Sequence, residues 1–174
     1  MASHTSSVTL ASILIALALG VLVQAQQKWI TAEVAAALRA RAAEGDAGAT
    51  AALRGAADEG DAAAQVELGF MYFYAGSVPQ DYAEAVRLYR LAAEQGYAFG
   101  QYTLGRAYAS GEGVPQDDVS AYTWFNLAVS RSSGDLRDNS IERREDVAKR
   151  LTPVQLSDAQ RLTREWDAAH PREP

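Results

Sequence analysis

The chain has 174 residues, enough for one domain of ordinary size, and 48% of them are apolar, which supplies a sizeable core. Its net charge of −6 argues against nucleic acid and anionic membrane surfaces as partners, because both require clustered Lys and Arg. With no cysteine, it has no disulfide framework, no thiolate metal site and no cysteine nucleophile.

Met1 to Thr9 is polar, and Leu10 to Val23 is an uncharged apolar run of fourteen residues. That length fits the core of a signal peptide and is short for a membrane span. Val23-Gln24-Ala25 places small residues at −3 and −1 of a cut before Gln26. Residues 1–25 are therefore expected to be a signal peptide, and the body a periplasmic or secreted bacterial protein. No Lys or Arg precedes the apolar run. The rival reading is an uncleaved inner-membrane anchor with the body facing the periplasm, which is the only route to a membrane. Cleavage leaves His170 as the single histidine, in the Pro-flanked tail His-Pro-Arg-Glu-Pro, a poor place to hold a base in register.

Residues 26–60 are Ala-rich and read as a degenerate helical hairpin. Ala43-Glu44-Gly45-Asp46-Ala47 and Asp58-Glu59-Gly60-Asp61-Ala62 each combine a helix end, a glycine turn and an Asp N-cap. Helices are expected over about 32–44 and 47–59. Leu38 and Leu53 are among their few large apolar residues, which makes this the softest unit.

An internal repeat follows. Gly60–Gln95 aligned on Gly96–Arg131, an offset of 36, gives thirteen identical pairs without a gap. They include Gln65/Gln101, Leu68-Gly69/Leu104-Gly105, Tyr72/Tyr108, Val78-Pro79-Gln80-Asp81/Val114-Pro115-Gln116-Asp117, Ala85/Ala121 and Leu91-Ala92/Leu127-Ala128. Each unit reads as two helices. Asp61 caps the first, and Leu68 and Tyr72 share its core face. Gly69 sits in mid-helix, where glycine costs about 1 kcal/mol relative to Ala; a neighbouring helix packing too closely for a Cβ explains it. Pro79 cannot continue the helix, and Asp81 caps the next one, with Glu84 completing a capping box. Ala85, Leu88, Tyr89 and Ala92 form the stripe of the second helix.

Ser132-Ser133-Gly134-Asp135 ends the second repeat, and residues 132–170 form capping helices. A charged helix runs to about Arg150. Thr152-Pro153-Val154-Gln155 then supplies an N-cap, a Pro at N1 and a Gln at N3. Leu156, Ala159, Gln160, Leu162, Thr163 and Trp166 lie on or beside one face of the closing helix, which covers the apolar end. Residues 171–174 are tail. About eight helices and no strands are expected: an all-α, right-handed α-solenoid of helix–turn–helix repeats.

No catalytic or nucleotide-binding string occurs, and one tail histidine supports neither a Ser-His-Asp triad nor a zinc site. Gly111-Glu112-Gly113 reads as an interhelix turn rather than a phosphate loop. Asp117-Asp118 reads as a helix N-cap rather than a cation site. The charge run Glu142–Asp146 reads as a solvated face. No enzymatic activity, cofactor or metal is expected.

The strings Leu68-Gly69 with Tyr72, Val78-Pro79-Gln80-Asp81-Tyr82 with Ala85, and Ala92-Ala93-Glu94-Gln95-Gly96 resemble the Sel-one-like repeat, a relative of the tetratricopeptide repeat. The second copy departs in having Asp118 where Tyr is usual and Val129-Ser130-Arg131 in place of Ala-Glu-Gln. The resemblance implies protein–protein scaffolding in the bacterial envelope, with a protein or peptide partner. Cysteine-rich relatives that bind or hydrolyse β-lactams rely on a disulfide in each repeat, which this chain lacks. A third reading is a structural envelope component. The resemblance also implies that the first helix of each hairpin lines a concave face. Val66, Phe70, Phe73 and Tyr74 of the first repeat and Phe99, Tyr102 and Arg106 of the second are then the groove residues. Aromatics beside an Arg are what protein-binding hot spots favour. The alternatives are a groove filled by the chain's own terminal helix, or aromatics that pack between helices.

Overall fold

Residues 30–75 and 77–171 are described in this computed structural model of the chain. They form eight α-helices and, among the described residues, no strand: α1 (Ala32–Ala43), α2 (Ala47–Asp58), α3 (Ala62–Tyr74), α4 (Tyr82–Glu94), α5 (Ala98–Ser110), α6 (Asp118–Arg131), α7 (Gly134–Ala148) and α8 (Pro153–Ala169). The apolar run at 10–23 and the cut before Gln26 lie outside the described residues.

The helix starts follow the local chemistry. The side chains of Thr31, Asp46, Asp61 and Asp81 each accept a hydrogen bond from the amide three residues on, and Asp117 accepts from those of Val119 and Ser120. Thr152 and Gln155 form the full capping box that opens α8. The box expected at Asp81 is only half made. The Glu84 carboxylate turns to Arg87 at 2.7 Å, because the Asp81 N–H already donates to the Tyr72 carbonyl at 3.0 Å.

The identical positions of the two repeats are the ones that carry the same contacts. The Tyr72 carbonyl takes the Asp81 N–H, and the Tyr108 carbonyl takes the Asp117 N–H, both at 3.0 Å. Gln65 donates to the Ala57 carbonyl at 3.2 Å, and Gln101 to the Ala93 carbonyl at 3.3 Å. Each glutamine reaches back to a carbonyl at the end of the preceding helix, which has no partner inside that helix. A Cβ on Gly69 would stand 2.5 Å from the Tyr89 ring, and one on Gly105 would stand 2.9 Å from the Phe125 ring. The glycines therefore let the two helices of each hairpin close on an aromatic ring.

From α1 to α7 each helix packs on the next, and the first helices also touch one another: α1 on α3, α3 on α5, α5 on α7. The second helices α2, α4 and α6 make their principal contacts with first helices. The first-helix layer is thus the tight, inner side of the stack. The core is correspondingly continuous along the stack. An Ala-rich cluster around Leu53, Leu68 and Leu88 passes to one around Val66, Tyr89 and Leu104, and then to one around Phe125, Val147 and Ala159. The leading hairpin fills its share with Ala35, Ala42, Ala49, Ala57 and a single buried Leu53.

The last helix packs on α6, burying Ala159 and Thr163, while Gln160 and Leu162 face outward. It does not lie on the first-helix face. The Pro-flanked tail is docked at its start. His170 stacks on Trp166 with ring centroids 4.0 Å apart, and its carbonyl accepts from Arg131 at 2.8 Å.

Candidate interaction face on the first helices

Six of the seven groove residues read from the sequence line the first-helix face, and one does not. Val66 is 1% exposed and belongs to the middle core cluster. It points back toward α4 and α5 because α3 is covered on two sides, by its own hairpin partner and by the next first helix. Of α3, Ala62 at its start and the last turn or so reach the surface. There Phe70 and Phe73 are half-buried, and Tyr74 is 61% exposed.

The aromatics form one connected series across both repeats. Phe70 stands 6.0 Å from Tyr74 and 5.7 Å from Phe99. Phe99 stacks on Tyr102 at 6.2 Å with 11° between planes, and Tyr102 meets Phe125 at 5.8 Å. Phe73 lies edge-on to Tyr74 and to Tyr82. Packing between helices thus accounts for part of this set. Phe70 and Phe99 bridge α3 and α5, and both are half-buried. The Arg39 guanidinium covers Phe70 at 5.8 Å while it pairs with Glu67.

Two clefts open along the series and share Arg106 and Glu112. The narrower is walled by Phe70, Phe73, Tyr74 and Tyr89. Tyr89 is 2% exposed, and its hydroxyl has no hydrogen-bond partner among the described residues. Burial pushes that phenol well above its ordinary pKa. The wider cleft, about 540 Å³, lies between α5, α6 and α7. Tyr102, Ala109, Phe125 and Val147 give it an apolar floor, and Arg106, Arg143 and Arg150 stand around it.

Arg143, Val147 and Arg150 were not legible as site residues. The run Glu142–Asp146 does place Glu142 and Glu145 in solvent, but Arg143 and Asp146 line the cleft. Only Ser140 and Val147 of α7 are buried, so the helix carries no apolar stripe to read. The usable signal was Val147 itself, an apolar residue one turn from Arg143 on a charged helix.

The polar features expected to be structural are so. Asp117 caps α6. Asp118 pairs with Arg150, whose guanidinium holds that carboxyl below the usual range. Gly111-Glu112-Gly113 forms the turn into the second half of the repeat, with Ser110 donating to Glu112 at 2.9 Å.

Residues 62–97 and 98–133 each match the Sel1 repeat. Among solved structures, the chain resembles a protective antigen of uropathogenic Escherichia coli that displays an SLR fold. The two are 34% identical, with a TM-score of 0.65 over 70% of this chain and 26% of that one. It also resembles a Sel1 repeat protein from Oxalobacter formigenes, 29% identical, with a TM-score of 0.56 over 74% of this chain and 96% of that one. The chain thus spans about a quarter of the antigen's length. No curated protein matches it.

Proposed function

The chain is a tandem Sel1-repeat protein of α-solenoid fold, and from that premise we propose that it is an exported protein-interaction module holding a partner segment along its first-helix face. Sel1 repeats generally mediate contacts between proteins. The observation that carries the reading is the aromatic series from Tyr74 through Phe70 and Phe99 to Tyr102. It crosses the repeat boundary with each ring partly open to solvent. Rigid aromatic side chains offer large contact area at small entropic cost, and Arg106 stands among them. Among the described residues, the terminal helix packs on α6 rather than on this face. The apolar run at 10–23 supports export.

Site-specific photocrosslinking in the producing cell tests the binding face. A crosslinker at Tyr74 or Arg106 is expected to trap one and the same partner, and a crosslinker at Arg54, exposed on α2, is expected to trap none. Equal trapping from all three positions sinks the reading. For export, fractionation should find a shortened chain outside the cytoplasm; an unprocessed cytoplasmic chain refutes it.

A further inference from the structure

The wider cleft has a chemical preference of its own. Of its two carboxylates, Asp146 pairs with Lys149 at 2.8 Å and Glu112 accepts only a neutral hydrogen bond, from Ser110 at 2.9 Å, and both are set against Arg106, Arg143 and Arg150 in the same lining. Arg150 is held by Asp118. Arg106 and Arg143 line the same cleft, and neither forms an ion pair among the described residues. Two guanidinium groups without an ion-pair partner among the described residues thus flank an apolar floor of Tyr102 and Ala109, on a chain whose net charge is −6. Against the net negative charge of the chain, the cleft offers an acidic ligand two exposed guanidinium forks shaped for carboxylate.

We infer that the cleft between α5, α6 and α7 selects an acidic partner segment. A large apolar side chain enters over Tyr102 and Ala109, and flanking carboxylates pair with Arg106 and Arg143. Its volume, about 540 Å³, lies in the range of sites that enclose a small ligand or anchor group. The inference rests on the proposed interaction face and adds the chemistry of its occupant.

The test uses the full chain and short fluorescent peptides read by anisotropy. One has a central phenylalanine flanked by aspartates, a second has asparagines for the aspartates, and a third has alanine for the phenylalanine. The acidic phenylalanine peptide is expected to bind most tightly, with affinity falling as salt rises. The other two are expected to bind about tenfold more weakly or worse, as is the first peptide to an Arg106→Gln, Arg143→Gln double variant, since a charge-assisted pair is worth about that factor. Both arginines are exposed or rim residues, and circular dichroism checks that the variant is folded.

Equal binding of the asparagine and aspartate peptides overturns the acidic preference. If that binding is lost in Tyr74→Ala, the aromatic face itself stands. Failure of the acidic peptide to bind at all overturns the preference and leaves the face to the crosslinking result. Concentration-dependent self-association in sedimentation, abolished by the double variant, also overturns it, because the occupant is then a second copy.

Discussion

Gly69 and Tyr89 approach so closely that a methyl group on the glycine would stand 2.5 Å from ring atom Cε1 and 2.9 Å from Cδ1. Gly105 and Phe125 repeat the relationship 36 residues on, at 2.9 Å. In each hairpin the ring of the second helix lies flush against the backbone of the first. The glycine is therefore required by the interhelical distance and by no turn.

Gly69→Ala is accordingly expected to lower stability by about 1–3 kcal/mol, the usual cost of overpacking a tight core, and Gly105→Ala likewise. Gly55 is the internal control. It lies within α2, where an added methyl group would meet nothing within 4 Å. Gly55→Ala should raise stability by about 1 kcal/mol through helix propensity alone. Urea unfolding followed by circular dichroism reads all three. Gly69→Ala and Gly55→Ala shifting the midpoint in the same direction contradicts the close-packing account.

Tyr89→Phe should be neutral or slightly stabilising, because the hydroxyl it removes is buried without a partner among the described residues. The pH dependence has a definite sign. Burial raises the phenol's pKa in the folded chain, so the folded state keeps its proton longer than the unfolded state does. That contribution is fully present below the unfolded value of about 10 and is lost as pH rises beyond it. Wild type should therefore lose more stability than Tyr89→Phe on going from neutral to strongly alkaline buffer, as thermal melts would report. Equal losses refute the assignment.

Asp118 and Arg150 join the start of α6 to the turn that precedes α8. Arg150 depresses the Asp118 carboxyl, so the stabilisation is present at neutral pH and disappears as pH falls below about 4 through the folded value. The pair is partly exposed, so Asp118→Asn should cost under about 1 kcal/mol at neutral pH and low salt. The difference should vanish in acid and shrink in high salt. A cost that persists unchanged in acid points to something other than the ion pair.

Arg131 stands where the first repeat has Gln95. Gln95 donates to Gln65 at 2.8 Å, whereas Arg131 turns to α8: to Asp167 at 2.7 Å, to the His170 carbonyl, and under the Trp166 ring at 4.8 Å. The turn leaves Gln101 Oε1 and Arg131 Nε without partners among the described residues. Arg131→Gln should therefore loosen α8 while leaving the second repeat intact. Amide exchange should accelerate in 153–169 and hold steady in 98–131. Acceleration across both segments means that the residue supports the repeat itself.

Much of the architecture is written in short-range chemistry. Asp46, Asp61, Asp81 and Asp117 act on amides two or three residues away, and Pro79 keeps the turn between α3 and α4 from continuing as helix. Helix boundaries and the 36-residue period were therefore legible before any packing was known. So was the close approach at Gly69, because a mid-helix glycine needs a reason. The failures lie where two or more helices compete for one residue. Helical periodicity places Val66 and Phe70 on one face, but only the positions of α4 and α5 decide that Val66 is buried and Phe70 half open. Glu84 lost its capping role to a backbone hydrogen bond from Asp81 to Tyr72, nine residues away. Arg143 and Val147 joined Arg106 only because the reversal at 132–134 folds α7 back onto α5. By itself the sequence determined the repeat, its caps and its turns, since those are settled within a few residues. The tertiary structure alone decided which first-helix side chains remain open and which arginines meet in one cleft, because burial and charge pairing are sums over neighbours distant in the chain.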